Sequence, residues 1–178
     1  MALAVFVVLM CTIGATFAGV CREVHLQDNL DFQRIGGDWW QAYYSAGSMY
    51  GEASCLDTRV FGINKKQKLF YMETNAAIVN PYTGRSETGT VLSTAYWGDR
   101  QMLAGETHIK NHVATDYSTY LLFYKCSNGK AIIDLELKNG ITRLTRKKIV
   151  EVSDILERVH VDFSSLVKRD RSSCPYTK

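Results

Sequence analysis

From Trp39 onward, apolar and polar positions alternate with a period of two through a series of short runs. WWQAYYSA, LDTRVFGI, KLFYMETNAAIV, ETGTVLSTAYW, QMLAGETHI, NHVAT, TYLLFYKC and KAIIDLEL are rich in β-branched and aromatic residues, which is the pattern of strands. INKKQK, NPYTGR, WGDR, DYS and SNGK stand between them and carry turn chemistry. A further short strand is read in ITRLTR, after Gly140. Eight or nine short strands with close connections predict an all-β, antiparallel up-and-down meander. Closing such a sheet into a barrel removes its exposed edges.

The period then changes. In KKIVEVSDILERVHV, Ile149, Val152, Leu156 and Val159 recur at steps of three and four. This predicts a single amphipathic helix of about four turns, packed on the outside of the sheet. The tail SSLVKRDRSSCPYTK has little pattern of its own and is expected to be tied down by Cys174. No internal repeat, linker or second domain is visible.

The chain opens on MALAVFVVLMCTIGATFAG, a run without a charged side chain. It is short for a membrane span, which needs about 20 apolar residues, and it ends in small residues. It reads as a secretory signal over residues 1–18, with Thr16 and Ala18 at the cleavage site, leaving a single domain over 19–178. A lipoprotein signal ending at Cys21 is the rival, and Val20 fits it poorly. Removing the signal takes Cys11 and leaves four cysteines. An even number in a secreted chain implies two disulfides, with three pairings open to four cysteines.

Charge and catalytic motifs exclude more than they suggest. With 21 Lys and Arg against 18 Asp and Glu, the formal charge is only +3, and the basic runs NKKQK, TRLTRKK and VKRDR are scattered. A nucleic-acid partner is therefore not expected. There is no GxSxG elbow, glycine-rich phosphate loop or HExxH, so no enzyme class is indicated. HIKNH spaces His108 and His112 by four residues, but in a strand context with no third ligand it does not make a metal site.

Three features remain, in order: GGDWW, ATDYSTY and LTRKK. Gly37 permits a tight bend into the first strand, and Trp39 supplies a large flat side chain. Asp116 can cap a turn, and an arginine before the helix can stack on an indole.

Together these motifs resemble the lipocalin family. Gly37 and Trp39 match its first motif; Thr115, Asp116 and Tyr117 its second; Arg146 its third, with Arg143 as a weaker match. Within the family the chain looks most like apolipoprotein D and the insect bilin-binding proteins. The resemblance implies an eight-stranded barrel with one outer helix. The three motifs meet at its closed end, with Arg146 packed across Trp39. It also implies disulfides Cys21–Cys126 and Cys55–Cys174.

If Cys126 faces outward, Leu121 and Phe123 face inward, because side chains alternate along a strand. Alternation from Trp39 turns Gln41 and Tyr43 inward and Trp40, Ala42 and Tyr44 outward. Tyr43, Phe70, Met72, Val113, Leu121 and Phe123 are thus the candidate ligand-binding residues. The implied function is secreted transport of a small hydrophobic molecule: a bilin pigment, retinoid, fatty acid or steroid. No cofactor is required, and a bound bilin is one expectation. The alternative is a secreted scavenger of an amine or lipid mediator, which inward carboxylates such as Glu73 or Glu106 would favour.

Overall fold

The computed structural model describes residues 21–48, 50–80, 82–98, 101–104 and 109–174. The expected signal segment, Glu106 and His108 lie outside the described residues. The strands are β1 (Gly37–Tyr44), β2 (Ala53–Asn64), β3 (Leu69–Val79), β4 (Ser86–Gly98), β5 (Gln101–Ala104), β6 (Ile109–Thr115), β7 (Tyr120–Ser127), β8 (Lys130–Lys138) and β9 (Val167–Lys168). Neighbours pair antiparallel in the order β2 to β8, then β1, and β1 pairs back to β2. The result is the expected closed eight-stranded meander. One helix, α1 (Arg146–Glu157), lies outside it.

Several elements differ from the sequence expectation. QMLAGETHI is not one strand: β5 stops at Ala104 and β6 starts at Ile109, which pairs with it. ITRLTR forms no strand. The ninth strand comes instead from the patternless tail, where β9 pairs with Tyr43 and Tyr44. The helix starts on its cap, Thr145, whose hydroxyl accepts from the Lys148 amide. It stops four residues short of the periodic run, because the chain reverses at His160, whose φ is +58°. Val159 still packs in the core beyond the stop. Of the four periodic residues, Val152, Leu156 and Val159 are buried and Ile149 is half-buried; the buried Ile155 was not among them, and periodicity did not give the backbone state of the last turn.

Two apolar cores lie back to back across the barrel wall. Inside, Trp39, Phe70, Val113 and Leu121 fill one end. Outside, Trp40, Tyr124, Ile133, Leu135 and Leu137 meet Val152, Ile155 and Leu156 of α1. The N-terminal segment from Cys21 lies along this outer wall. Its Gln27 side chain accepts from the Thr115 amide at 2.6 Å, and the Tyr124 hydroxyl donates to the Arg22 carbonyl. The disulfides are Cys21–Cys126 and Cys55–Cys174, the pairs implied by the resemblance. They close separations of 105 and 119 residues and limit the unfolded chain accordingly.

The filled end is held by the motif residues, with one correction. The Trp39 indole N–H donates to the Ile35 carbonyl at 2.8 Å. Thr115 accepts from the Tyr117 amide, and Tyr117, at φ +66°, accepts from the Asp31 amide. Asp116 accepts from the amides of Ser118, Thr119 and Tyr120 and pairs with Lys148 at 2.8 Å. Burial alone would raise its pKa, but Lys148 and the amides outweigh it and hold the carboxyl at about 2. Arg146, however, does not reach Trp39. It is the exposed first residue of α1, eight positions past the end of β8. The cation on Trp39 is Lys138, the last residue of β8. Gly37 makes room for it: at φ +120°, a Cβ there would lie 2.5 Å from the Lys138 Nζ.

Candidate functional site

Above the plug formed by Trp39, the barrel interior opens into a cavity of about 250 Å³. Its wall alternates as strands require. Leu56 and Thr58 come from β2, Met72 and Thr74 from β3, Val91 and Ser93 from β4, and Phe123 and Lys125 from β7, with Tyr50 from the β1–β2 connection. The most distinctive wall is β8. Ile132, Asp134 and Glu136 face inward, while Ile133, Leu135 and Leu137 face out beneath α1.

This wall places two carboxylates in the cavity, on one face and two residues apart. Asp134 accepts from Gln41 Nε2 and Ser48 Oγ, both at 2.6 Å. Burial raises its pKa, opposed by those two hydrogen bonds and by Arg169. Glu136 is deeper, 5% exposed. One of its oxygens accepts from Thr58 Oγ1 at 3.0 Å. The other, Oε2, is buried without a hydrogen-bond partner. Burial, with Asp134 and Asp57 adding and Thr58 opposing, pushes the carboxyl up to about 8. A buried polar atom left without a hydrogen-bond partner costs on the order of 1–3 kcal/mol.

The fixed counter-charge is Arg169, 5% exposed. β9 carries it to the place where β1 has parted from β2, and its amide donates to the Ala42 carbonyl at 2.8 Å. The guanidinium donates to Gln41 Oε1 and to the Tyr50 carbonyl, and lies 4.5 Å from the Tyr44 ring centroid. Gln41 therefore links Arg169 to Asp134, using both ends of its amide.

Of the six candidate ligand-binding residues, Met72 and Phe123 line the cavity. Phe70, Val113 and Leu121 face into the barrel but sit in the packed plug below it. Tyr43 faces outward, contrary to expectation, with its ring 5.1 Å from that of Phe163. The cause is a register shift in the pairing of β1 with β8 between Gln41 and Tyr43, which reverses the alternation. Glu73 is also outside: its neighbours Met72 and Thr74 take the inward positions, and its carboxylate accepts from Asn75. Asp134, Glu136 and Arg169 were missed by the sequence reading. The signal for the two acids was the alternation in AIIDLEL, read with the apolar side facing α1 instead of the interior.

Among the described residues, Cys55, Asp57 and Cys174 form a close group of potential metal ligands. Both cysteines are consumed by a disulfide, so the group is not suited to a metal.

No protein-family model and no curated protein sequence matches the chain. Solved structures do. The major allergen Per a 4 from cockroaches is similar at a TM-score of 0.63 and 13% identity, over 84% of this chain and 94% of that one. Apocrustacyanin C1 is similar at 0.61 and 18% identity, over 80% and 81%. The amine-binding protein of Rhodnius prolixus, solved as a tryptamine complex, is similar at 0.58 and 13% identity, over 84% and 85%. With its closed eight-stranded meander, plugged end, interior cavity and outer helix, the chain has the lipocalin fold.

Proposed function

We propose that this protein is a secreted carrier or scavenger of a small amphipathic amine, bound inside the barrel. The observation that supports it is the unpartnered Glu136 Oε2 in the cavity wall. A protonated amine would supply the missing donor and the compensating charge together, and hydrogen bonds to charged groups are worth about 1.5–3 kcal/mol. Phe123, Met72 and Leu56 line the same space and would cover an apolar body. Two disulfides suit an extracellular setting.

Size supports the smaller members of the ligand classes considered. The cavity, about 250 Å³, lies below the roughly 300–1,000 Å³ of pockets for drug-sized ligands. One or two rings with a short amine arm suit it better than an extended four-ring pigment. That the Rhodnius prolixus protein of similar fold was solved with tryptamine fits this reading. A neutral hydrophobic guest is the second reading, favoured by a Glu136 that is largely protonated at neutral pH. Calorimetric titration with tryptamine and with its alcohol analogue separates the two. The amine reading expects the amine to bind about tenfold tighter or better, with the advantage lost in Glu136→Gln. Equal binding of the two probes would favour the neutral guest.

A further inference from the structure

The barrel wall is uneven at β4. It pairs with β3 from Ser86 opposite Val79 to Tyr96 opposite Leu69. On its other side only Ala95–Gly98 are paired, with β5. Ala104, opposite Ala95, already pairs with Ile109 as the chain returns in β6. Ser86–Leu92 therefore run on with no strand on that side among the described residues, and all seven are exposed. At about 3.4 Å per residue, this is an open edge of roughly 24 Å of outward-facing amides and carbonyls.

The chemistry of the edge is unusual for one left bare. Natural edges are blunted by lysine, proline, bulges or inward charges. SETGTVLST has no lysine, arginine or proline, and Glu87 is its single charge. Thr88, Thr90, Val91 and Thr94 are β-branched and favour an added strand. The β3–β4 register is continuous across the segment, without a bulge. Leu92, 70% exposed, stands on the outer face.

We propose that this edge pairs with the same edge of a second copy of the chain, antiparallel and two-fold symmetric about Thr90. Such an interface must be complementary to itself, and this segment meets that condition. Centred on Thr90, the pairing sets Glu87 against Ser93, Thr88 against Leu92 and Gly89 against Val91. No like charges stand opposite each other. The two Glu87 side chains lie six rungs apart, about 20 Å, beyond the screening length of roughly 8 Å at physiological salt. Thr88 of one copy covers the exposed Leu92 of the other. Val91 and Ser93 also line the cavity, so the joined walls place the two cavities side by side.

Sedimentation velocity over a wide concentration range tests this, with Thr90 variants at the exposed centre. Wild type is expected to form a dimer as concentration rises. Thr90→Lys, which sets two ammonium groups face to face, should weaken association by about tenfold or more, as should Thr90→Glu. An equimolar mixture of the two variants should recover association as a mixed dimer, showing that both remain folded. Slower amide exchange at Thr88–Leu92 with rising concentration would place the contact on this edge. Wild type that stays monomeric throughout, Thr90→Lys that associates like wild type, or a mixture that does not recover would each overturn the proposal.

Discussion

Lys138 lies across the indole of Trp39, its Nζ 4.1 Å from the ring centroid, and the same ammonium donates to the Gly36 carbonyl at 2.8 Å. The arginine expected there, Arg146, is exposed on α1. A lysine can take this place because the site needs one cation over one ring and one donor to one carbonyl. It does not need the planar fork of a guanidinium.

The first prediction follows. Lys138→Met should destabilise the fold by about 1–2 kcal/mol, from the lost cation–π contact and charged hydrogen bond. Trp39→Ala, which empties the centre of the plug, should cost about 3–5 kcal/mol. Arg146→Ala should stay within about 0.5 kcal/mol of wild type, as exposed substitutions do. Urea unfolding of the three variants measures this. A large loss in Arg146→Ala beside a neutral Lys138→Met would reverse the assignment.

Most of the architecture was legible in the sequence, because strands, turns and the helix each have a period or a composition. Trp39, Thr115 and Asp116 could be placed because they are motifs with local chemistry. The cavity was less legible, for two physical reasons. In β8 the inward face carries Asp134 and Glu136 and the outward face carries Ile133, Leu135 and Leu137. Alternation identifies two faces but not which is inside, and α1 makes the outer face the more apolar one. At Tyr43 a one-residue shift reversed the alternation, and no residue type announced it. Arg169 directly follows a two-residue strand too short to have a period.

Phe123 lines the cavity and Tyr124 lies fully buried on the other face of β7. Phe123→Glu should abolish binding of a hydrophobic fluorescent probe, since a carboxylate there must be desolvated or hold water in the cavity. Tyr124→Phe keeps the outer packing and loses only the hydrogen bond to the Arg22 carbonyl. It should cost about 1 kcal/mol of stability and leave probe binding unchanged. Equal loss of binding in both variants would contradict the assignment of Phe123 to the cavity.

His112 is buried on the outer face of β6, and neither ring nitrogen has a hydrogen-bond partner. Its ring stands edge-on to that of His25, 5.7 Å away. Burial lowers its pKa below 6.5; His25 and Lys110 lower it further, and Glu23 opposes them. The unfolded chain therefore takes up this proton first, so the fold loses stability as pH falls below about 6.5. His112→Leu should stabilise by on the order of 1–3 kcal/mol at neutral pH by removing two unmade hydrogen bonds, and by more at pH 5. Thermal unfolding at both values checks it. A variant less stable than wild type at pH 5 would show that the imidazole gains more from its surroundings than it loses.

Glu136 joins stability and binding in opposite senses. Its carboxyl sits at about 8 in the folded protein against an ordinary value of 4.5. The folded state holds this proton more tightly than the unfolded chain does. Stability from this group is therefore full below pH 4.5 and falls as pH rises toward 8. Glu136→Gln should remove that loss, with a gain on the order of a few kcal/mol at pH 8 and little gain at pH 4. An amine that pairs with the ionised carboxylate must displace the proton, so wild-type affinity should rise by about tenfold per unit as pH climbs toward 8. It should level off above that, while the ligand ammonium is still charged. Calorimetry in buffers of different ionisation enthalpy should register close to one proton released per amine bound at pH 7. Glu136→Gln should be the more stable protein and the poorer binder, with no proton release. A pH-independent affinity in wild type, or a glutamine variant that binds the amine as tightly, would remove Glu136 from the site and leave the neutral guest as the reading of the cavity.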